Sequence, residues 1–129
     1  MNIKISNSDK RSVGRPSLRS FTVRRSDSHI TFSAKTANDL GLCLGSKIGV
    51  LFTDKETYLC IDVENGLKLF GYKNGSKYSS FACTAKNIAS RILDNVKAVK
   101  VASFLIAANS TIINGCKCYK IIKTPLRID

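Results

Sequence analysis

The sequence predicts an α+β fold that is mainly β: a pseudo-twofold barrel built from two strand–helix–hairpin repeats, preceded by an extended basic N-terminal arm. Three observations predict it. The same order of strand, helix and hairpin signals occurs twice along the chain. Most apolar runs are short and stop at turn-forming pairs such as Asn74-Gly75 and Asn114-Gly115. Residues 1–20 differ in composition from everything after them.

The arm comes first. The run MNIKISNSDKRSVGRPSLRS is rich in Ser, Asn and Arg and has no aromatic residue, so it cannot bury enough apolar surface to fold alone. Residues 1–25 carry Lys4, Lys10, Arg11, Arg15, Arg19, Arg24 and Arg25 against Asp9, which places +6 of the net +12 in that stretch. Residues 21–129 are expected to form a single barrel-like domain, with repeats over about 21–72 and 77–124.

Phe21 and Val23 alternate with Thr22 and Arg24, a strand signal, and His29 to Phe32 reads as the next strand. Ser33 is placed to cap a short helix over residues 34–40, with Ala34, Ala37 and Leu40 on one face and Gly41 at its end. Residues 47–53 and 57–63 form two strands around the tight connection Asp54-Lys55-Glu56. Asn65-Gly66 then turns the chain into a strand over 67–72. The Asn74-Gly75 hairpin leads to a strand at 78–82. Ala85, Ile88, Ala89 and Ile92 give the strongest helical spacing, over 84–93. Strands over 100–107 and 118–123 follow, and Pro125 ends the pattern. Phe32, Phe52, Phe81 and Phe104 are the expected aromatic core.

The repeat is read from these signals. One copy runs from Ile30-Thr31-Phe32 through a helix to strands at 47–52 and 58–61. The other runs from Ser79-Ser80-Phe81 through a helix to strands at 101–106 and 119–122. Such a unit leaves one face of its sheet bare, and two copies bury those faces against each other about a pseudo-twofold axis, which closes a barrel within one chain.

Val23-Arg24-Arg25, Ile30-Thr31-Phe32-Ser33, Leu40-Gly41-Leu42 and Gly45-Ser46-Lys47-Ile48 resemble the swapped-hairpin domains of AbrB-type transition-state regulators and MazE-type antitoxins. In that family two such units interlock into a barrel that binds DNA through basic residues near the first strand. The resemblance implies that role for Arg24 and Arg25. The match covers residues 23–48 and departs from the family pattern at Ser33, where Pro is usual, at Ser46, where Asp is usual, and in a shorter loop before Ile30. The second copy lacks the L-G signature; Ser90-Arg91-Ile92-Leu93 extends its helix instead.

The chemistry-bearing residues point away from catalysis. His29 is the only histidine and has no carboxylate or nucleophile placed beside it by sequence. Asp27, Asp54, Glu56 and Glu64 fall in turns rather than as an acid–base pair, and no phosphate-cradling glycine run exists. The five cysteines, Cys43, Cys60, Cys83, Cys116 and Cys118, are odd in number and mostly in apolar runs, which suits reduced thiols used as small hydrophobes. Cys116 and Cys118 form C-x-C without a second pair at zinc-ligand spacing. No metal and no cofactor are therefore expected. The N-terminus shows no secretory signal and no apolar stretch is long enough to span a bilayer, so the expectation is a cytoplasmic protein, or a virion component, with no membrane partner.

Lysine and arginine gain affinity for phosphate by releasing condensed counterions. Gly14-Arg15-Pro16 is half of an AT-hook core, with Val13 where that motif has Arg. The sequence thus predicts a non-enzymatic DNA-binding protein, architectural or regulatory, with Lys10, Arg11, Arg15, Arg19, Arg24 and Arg25 on phosphate or groove. The second expectation is a structural component of a phage virion or other assembly, whose arm docks on neighbouring subunits or on further copies of the chain. Tyr72 and Tyr78 flank the Lys73–Lys77 hairpin and are expected to cover the rim of the core.

Overall fold

The computed structural model describes residues 19–129. Lys4, Lys10, Arg11 and Arg15, with most of the expected arm, lie outside the described residues, while Ser20 already belongs to the first strand. In chain order the elements are β1 (Ser20–Arg24), β2 (His29–Ser33), α1 (Ala34–Leu40), β3 (Lys47–Phe52), β4 (Thr57–Ile61), β5 (Leu67–Lys68), β6 (Phe70–Asn74), β7 (Lys77–Thr84), α2 (Lys86–Asn95), β8 (Val101–Ile113), β9 (Cys116–Ile121) and β10 (Arg127–Ile128). The fold is mainly β. One antiparallel sheet runs β5-β3-β4-β9-β8-β1-β2-β7-β6, with β10 beside β8, and curls into a nearly closed barrel. Its two end strands are consecutive in the chain, separated by Leu69 alone.

Both helices end in the same way. Ser33 caps α1, its hydroxyl accepting from the Thr36 N–H at 3.2 Å. At the other end the Leu42 N–H donates to the Ala37 carbonyl (2.7 Å) and the Gly41 N–H to that of Asn38 (3.2 Å), with Gly41 at φ 75°. This pair of bonds is the glycine-type helix stop. Helix α2 closes with the same pair, Ala98 N–H to Leu93 (2.9 Å) and Lys97 N–H to Asp94 (3.1 Å), but the left-handed position is filled by Lys97 at φ 59°. A side chain there is disfavoured.

The core is organised by a row of phenylalanines across the sheet. Phe104 on β8 faces Phe21 on β1, Phe21 faces Phe32 on β2, and Phe32 faces Phe81 on β7. Ring centroids are 5.5 Å apart for Phe21–Phe104 and 5.8 Å for Phe21–Phe32. These separations suit attractive offset packing. The row ends at Gly71 on β6, opposite Phe81, where the ring of Tyr78 fills the space a side chain would need. A second row of Ala102, Val23, Ile30 and Cys83 runs parallel to it and is equally buried. The helices α1 and α2 supply Ala37, Leu40, Ala89, Ile92 and Leu93 to the same core. Phe52 packs against the core only in part, with the Arg91 guanidinium 4.0 Å above its ring.

Four details depart from the sequence reading. The single strand expected at 67–72 is two strands, because buried Leu69 leaves the ladder and donates to the Ser46 carbonyl (2.8 Å), handing the chain from β3 to β7. β8 is far longer than the strand expected at 100–107. Its first half pairs with β1 and β10 and its second half with β9, so one strand serves both parts of the sheet. Pro125 does not end the structure, since β10 follows it. Helix α2 starts at Lys86, two residues later than expected, where Ala85 N–H bonds to Ser28 O at 2.9 Å.

Three cysteines, Cys60, Cys83 and Cys118, are buried, Cys116 is partly covered and Cys43 is exposed; all five are free thiols. Burial pushes the Cys83 thiol up to about 12, and burial together with its contact to Cys118 does the same to Cys60. They remain neutral small hydrophobes at ordinary pH.

Two stability predictions follow from this geometry. Truncating the middle of the phenylalanine row, Phe32→Ala, should cost about 3–5 kcal/mol in urea denaturation, while Thr31→Ala, on the opposite side of the same strand, should cost less than about 1 kcal/mol. Lys97→Gly should stabilise the protein by about 0.5–1 kcal/mol by relieving the left-handed backbone. A loss of stability would show that Lys97 carries a contact worth more than that strain.

Candidate nucleic-acid interface

In β1 and β2 the side chains alternate strictly. Phe21, Val23, Ile30 and Phe32 point into the core, and Ser20, Thr22, Arg24, His29, Thr31 and Ser33 point out. The register puts Arg24 beside His29, Thr22 beside Thr31, and Ser80 of β7 beside Ser33. Thr22 also shares a hydroxyl–hydroxyl bond of 2.9 Å with Ser103 of β8. The outer face of this half of the sheet is therefore carpeted with short hydroxyl side chains.

One margin of that face is aromatic. Phe70 and Tyr72 on β6 pair with Ala82 and Ser80, which puts them on the outer side with His29. The rings meet edge to face, 5.3 Å between Phe70 and His29 and 5.4 Å between Phe70 and Tyr72. The Tyr72 hydroxyl lies 3.3 Å from His29 Nδ1, and Tyr72 remains 43% exposed. A register shift separates Tyr72 from Lys73, with one extra residue, Ser79, on β7. Such a bulge re-aims the side chains beyond it. Tyr78 accordingly turns to the core side against Phe81, with Lys73 Nζ 5.2 Å from its ring centre. The two tyrosines expected to cover the rim of the core thus part company: Tyr78 does so and Tyr72 faces outward.

Arg24 stands at the end of this aromatic margin. Its guanidinium pairs with Asp27 at 2.5 Å, its side chain half exposed, and Asp27 also accepts from the His29 backbone N–H at 3.2 Å. Burial pushes the Asp27 carboxyl up, but the Arg24 hydrogen bond, the His29 N–H and the neighbouring positive charge outweigh it and hold the carboxyl below its ordinary value. Asp27 in turn raises the Arg24 guanidinium.

The other arginines are placed differently. Arg25 donates to the carbonyls of Val99 (2.8 Å) and Ala98 (2.9 Å) and to Asp94 Oδ1 (2.8 Å), tying the β1–β2 turn to the end of α2. Its donors are engaged in holding the fold. Arg19 reaches the Ala108 carbonyl at 3.2 Å and lies 5.7 Å from the centre of the Tyr119 ring, away from the Arg24 cluster. Lys10, Arg11 and Arg15 lie outside the described residues. Among the described residues the structure therefore brings Arg24 together with His29, Phe70 and Tyr72, and does not join Arg19 or Arg25 to them. The structure, unlike the sequence, places a carboxylate beside His29: Asp27 Oδ2 lies 3.3 Å from its Nδ1. The alternation of Phe70 with Tyr72 was the available signal for an outward aromatic pair.

A cleft of about 410 Å³ lies elsewhere, between the β3–β4 connection, α2 and β9, floored by Phe104, Ile92 and Ile121. At its rim Glu56 pairs with Lys120 (3.0 Å) and Lys123 (3.7 Å), and the Lys120 bond leads in holding the Glu56 carboxyl below its ordinary value. Its only acidic groups are Asp54 and Glu56, and it contains no His or Cys. Among the described residues no group of His, Cys, Asp and Glu is arranged to hold a metal ion, and no helix is long and apolar enough to cross a membrane.

In comparisons with known proteins, the chain matches no family model, no curated protein and no solved structure.

The Asp27 pairing has a pH consequence. Because the folded carboxyl sits below its unfolded value, its contribution to stability is present above the unfolded pKa and is lost as pH falls through the folded one. Carboxyl NMR titration should find Asp27 below the ordinary carboxylate range, and Arg24→Gln should move it upward. An unchanged Asp27 in that variant would remove Arg24 as the cause.

Proposed function

We propose that this chain is a non-enzymatic DNA-binding protein, architectural or regulatory, that grips nucleic acid through its basic N-terminal segment and the adjoining edge of the barrel. The observation that carries this reading is charge: +6 of the net +12 lies in residues 1–25, and the described part of that stretch leads directly into β1, whose outer face ends at half-exposed Arg24. Lys10, Arg11, Arg15, Arg19 and Arg24 contact phosphate or groove, and Arg25 anchors the turn that presents them.

The reading includes a duplicated swapped-hairpin domain of the AbrB and MazE type, and the strand register is compatible with the duplication. β2 and β7, the strands preceding the two helices, pair with Phe32 directly opposite Phe81. β4 and β9, the closing strands of the two hairpins, pair as Tyr58 with Lys120 and Leu59 with Tyr119, so that exchanging Tyr58 for Tyr119 and Leu59 for Lys120 maps one pair onto the other. β5 pairs with the start of β3 as β10 does with the start of β8. The matched helix stops at Gly41 and Lys97 add to this. Each correspondence fits a twofold relation in which the boundary between the expected repeats, 21–72 and 77–124, moves to Leu69, because β6 pairs with β7.

A structural role in a virion or other assembly is the second reading. It is favoured by apolar side chains left exposed along the C-terminal strip, Val99, Leu126 and Ile128, where Val99 N–H bonds to Asp129 and Leu126 N–H to Ser103. Exposed apolar groups gathered in one place suit a protein partner.

A gel-shift series separates the two. The full chain should retard duplex DNA at low salt and lose it steeply as salt rises. Replacing Lys10, Arg11 and Arg15 together by Gln should flatten the slope of log K against log salt by up to about 2.7, roughly 0.9 for each phosphate contact removed. Unchanged affinity would contradict a role for the N-terminal segment, and no binding to any nucleic acid at low salt would leave the assembly reading.

A further inference from the structure

Resting on the nucleic-acid reading above, we propose that the outer face of β1, β2, β7 and β6 is a binding surface for single-stranded nucleic acid, with Tyr72 as the stacking platform and Arg24 as the adjacent phosphate contact. A base can lie flat on a side chain only when it is not already stacked in a duplex, and exposed aromatic rings beside cations are how proteins hold unpaired strands without reading sequence.

The ring geometry suits that task. Phe70 buttresses Tyr72 edge to face, His29 lies tilted to its ring at 6.4 Å, and the hydroxyl contact to His29 orients the ring. A stacking residue held still in advance loses little freedom when a base lands on it. A tyrosine of this size left 43% exposed on a sheet face, rather than folded onto the core as Tyr78 is, has its ring available. Beside it stand the short hydroxyl side chains of Thr22, Thr31 and Ser80, while Ala82, between Thr31 and Phe70 in the same outward row, is fully buried, so the surface open to a flat ligand is the Tyr72 ring and the hydroxyls next to it.

Charge fits the same occupant. The chain is +12 overall. At this margin Asp27 is already held by both Arg24 and His29, so it presents a neutralised rather than a free carboxylate. An exposed pair such as Arg24–Asp27 is worth little by itself in water, and a phosphate can take the outward donors of Arg24 without a large loss. Beyond the bulge, Lys77 stands exposed at the β6–β7 turn, while Lys73 lies over the Tyr78 ring on the other face.

The chain has no tryptophan, which supplies a direct probe. In Tyr72→Trp the single indole should be quenched when a dT oligonucleotide binds the full-length protein. By fluorescence anisotropy with labelled oligo(dT), Tyr72→Ala should weaken binding about 5- to 150-fold, the range expected for one lost base stack, while Tyr72→Phe, which keeps the ring and loses only its hydroxyl contact to His29, weakens it less, and the duplex of equal length is little affected by Tyr72→Ala. Circular dichroism of each variant checks that the barrel is intact. Unquenched indole in a saturated complex, or wild-type affinity in Tyr72→Ala, overturns the proposal. Binding to duplex alone also overturns it but leaves the DNA-binding reading standing. Binding to neither nucleic acid at low salt removes both.

Discussion

Four phenylalanines, Phe104, Phe21, Phe32 and Phe81, lie in one row across four strands and pack against one another in the core. Each of its members is a direct cross-strand neighbour of the next, so one line of packing sets the register of four strands at once. Strand register has a period of two, and a slip by one residue would turn every core side chain to solvent. The row also joins distant parts of the chain, since β1 brings residue 21 between residues 32 and 104. That is a high-entropy contact to close, made worthwhile by burying several large rings together. Gly71 ends the row for a steric reason: the Tyr78 ring occupies the place of its missing side chain.

What faces outward follows from what faces in. With Phe21, Val23, Ile30 and Phe32 fixed inside, Thr22, Arg24, His29 and Thr31 are fixed outside, two residues apart along each strand. The bulge at Ser79 then decides which tyrosine joins them. The turn that carries Arg24 is held from behind by Arg25, whose three bonds, to Asp94 of α2 and to the Ala98 and Val99 carbonyls that follow it, give the neighbouring arginines opposite work. The same backbone that makes Arg25 an internal strut leaves Arg24 at the surface.

Much of this was legible in the residues, for reasons that can be named. Alternation exposed β1 and β2, Ser33 and Gly41 marked both ends of α1, and Asn114-Gly115 marked the β8–β9 turn, where both residues take positive φ. Local chemistry carried those signals. The rest lay in tertiary structure. Lys97 gives no sequence sign of a helix stop because a lysine is disfavoured in the left-handed backbone that the stop requires. The break at Leu69 is made by a loop it bonds to, and the second half of β8 is strand because β9 pairs with it. At the candidate site Arg24 was legible from charge. The company of His29, Asp27, Phe70 and Tyr72 was not, since it depends on strand order and a bulge.

Nucleic-acid contact at the hydroxyl-bearing face bordered by Arg24 and Tyr72 is the proposal most open to direct test. Two-dimensional NMR of the ¹⁵N-labelled full-length protein, titrated with a short dT oligonucleotide at low salt, reads that face residue by residue. The largest shift changes are expected in the amides of Thr22, Arg24, His29, Thr31 and Tyr72 and in those of Lys10, Arg11 and Arg15, with Phe32 and Ile30 moving less. Changes confined to the strip around Val99, Leu126 and Ile128, or none at all, would contradict it.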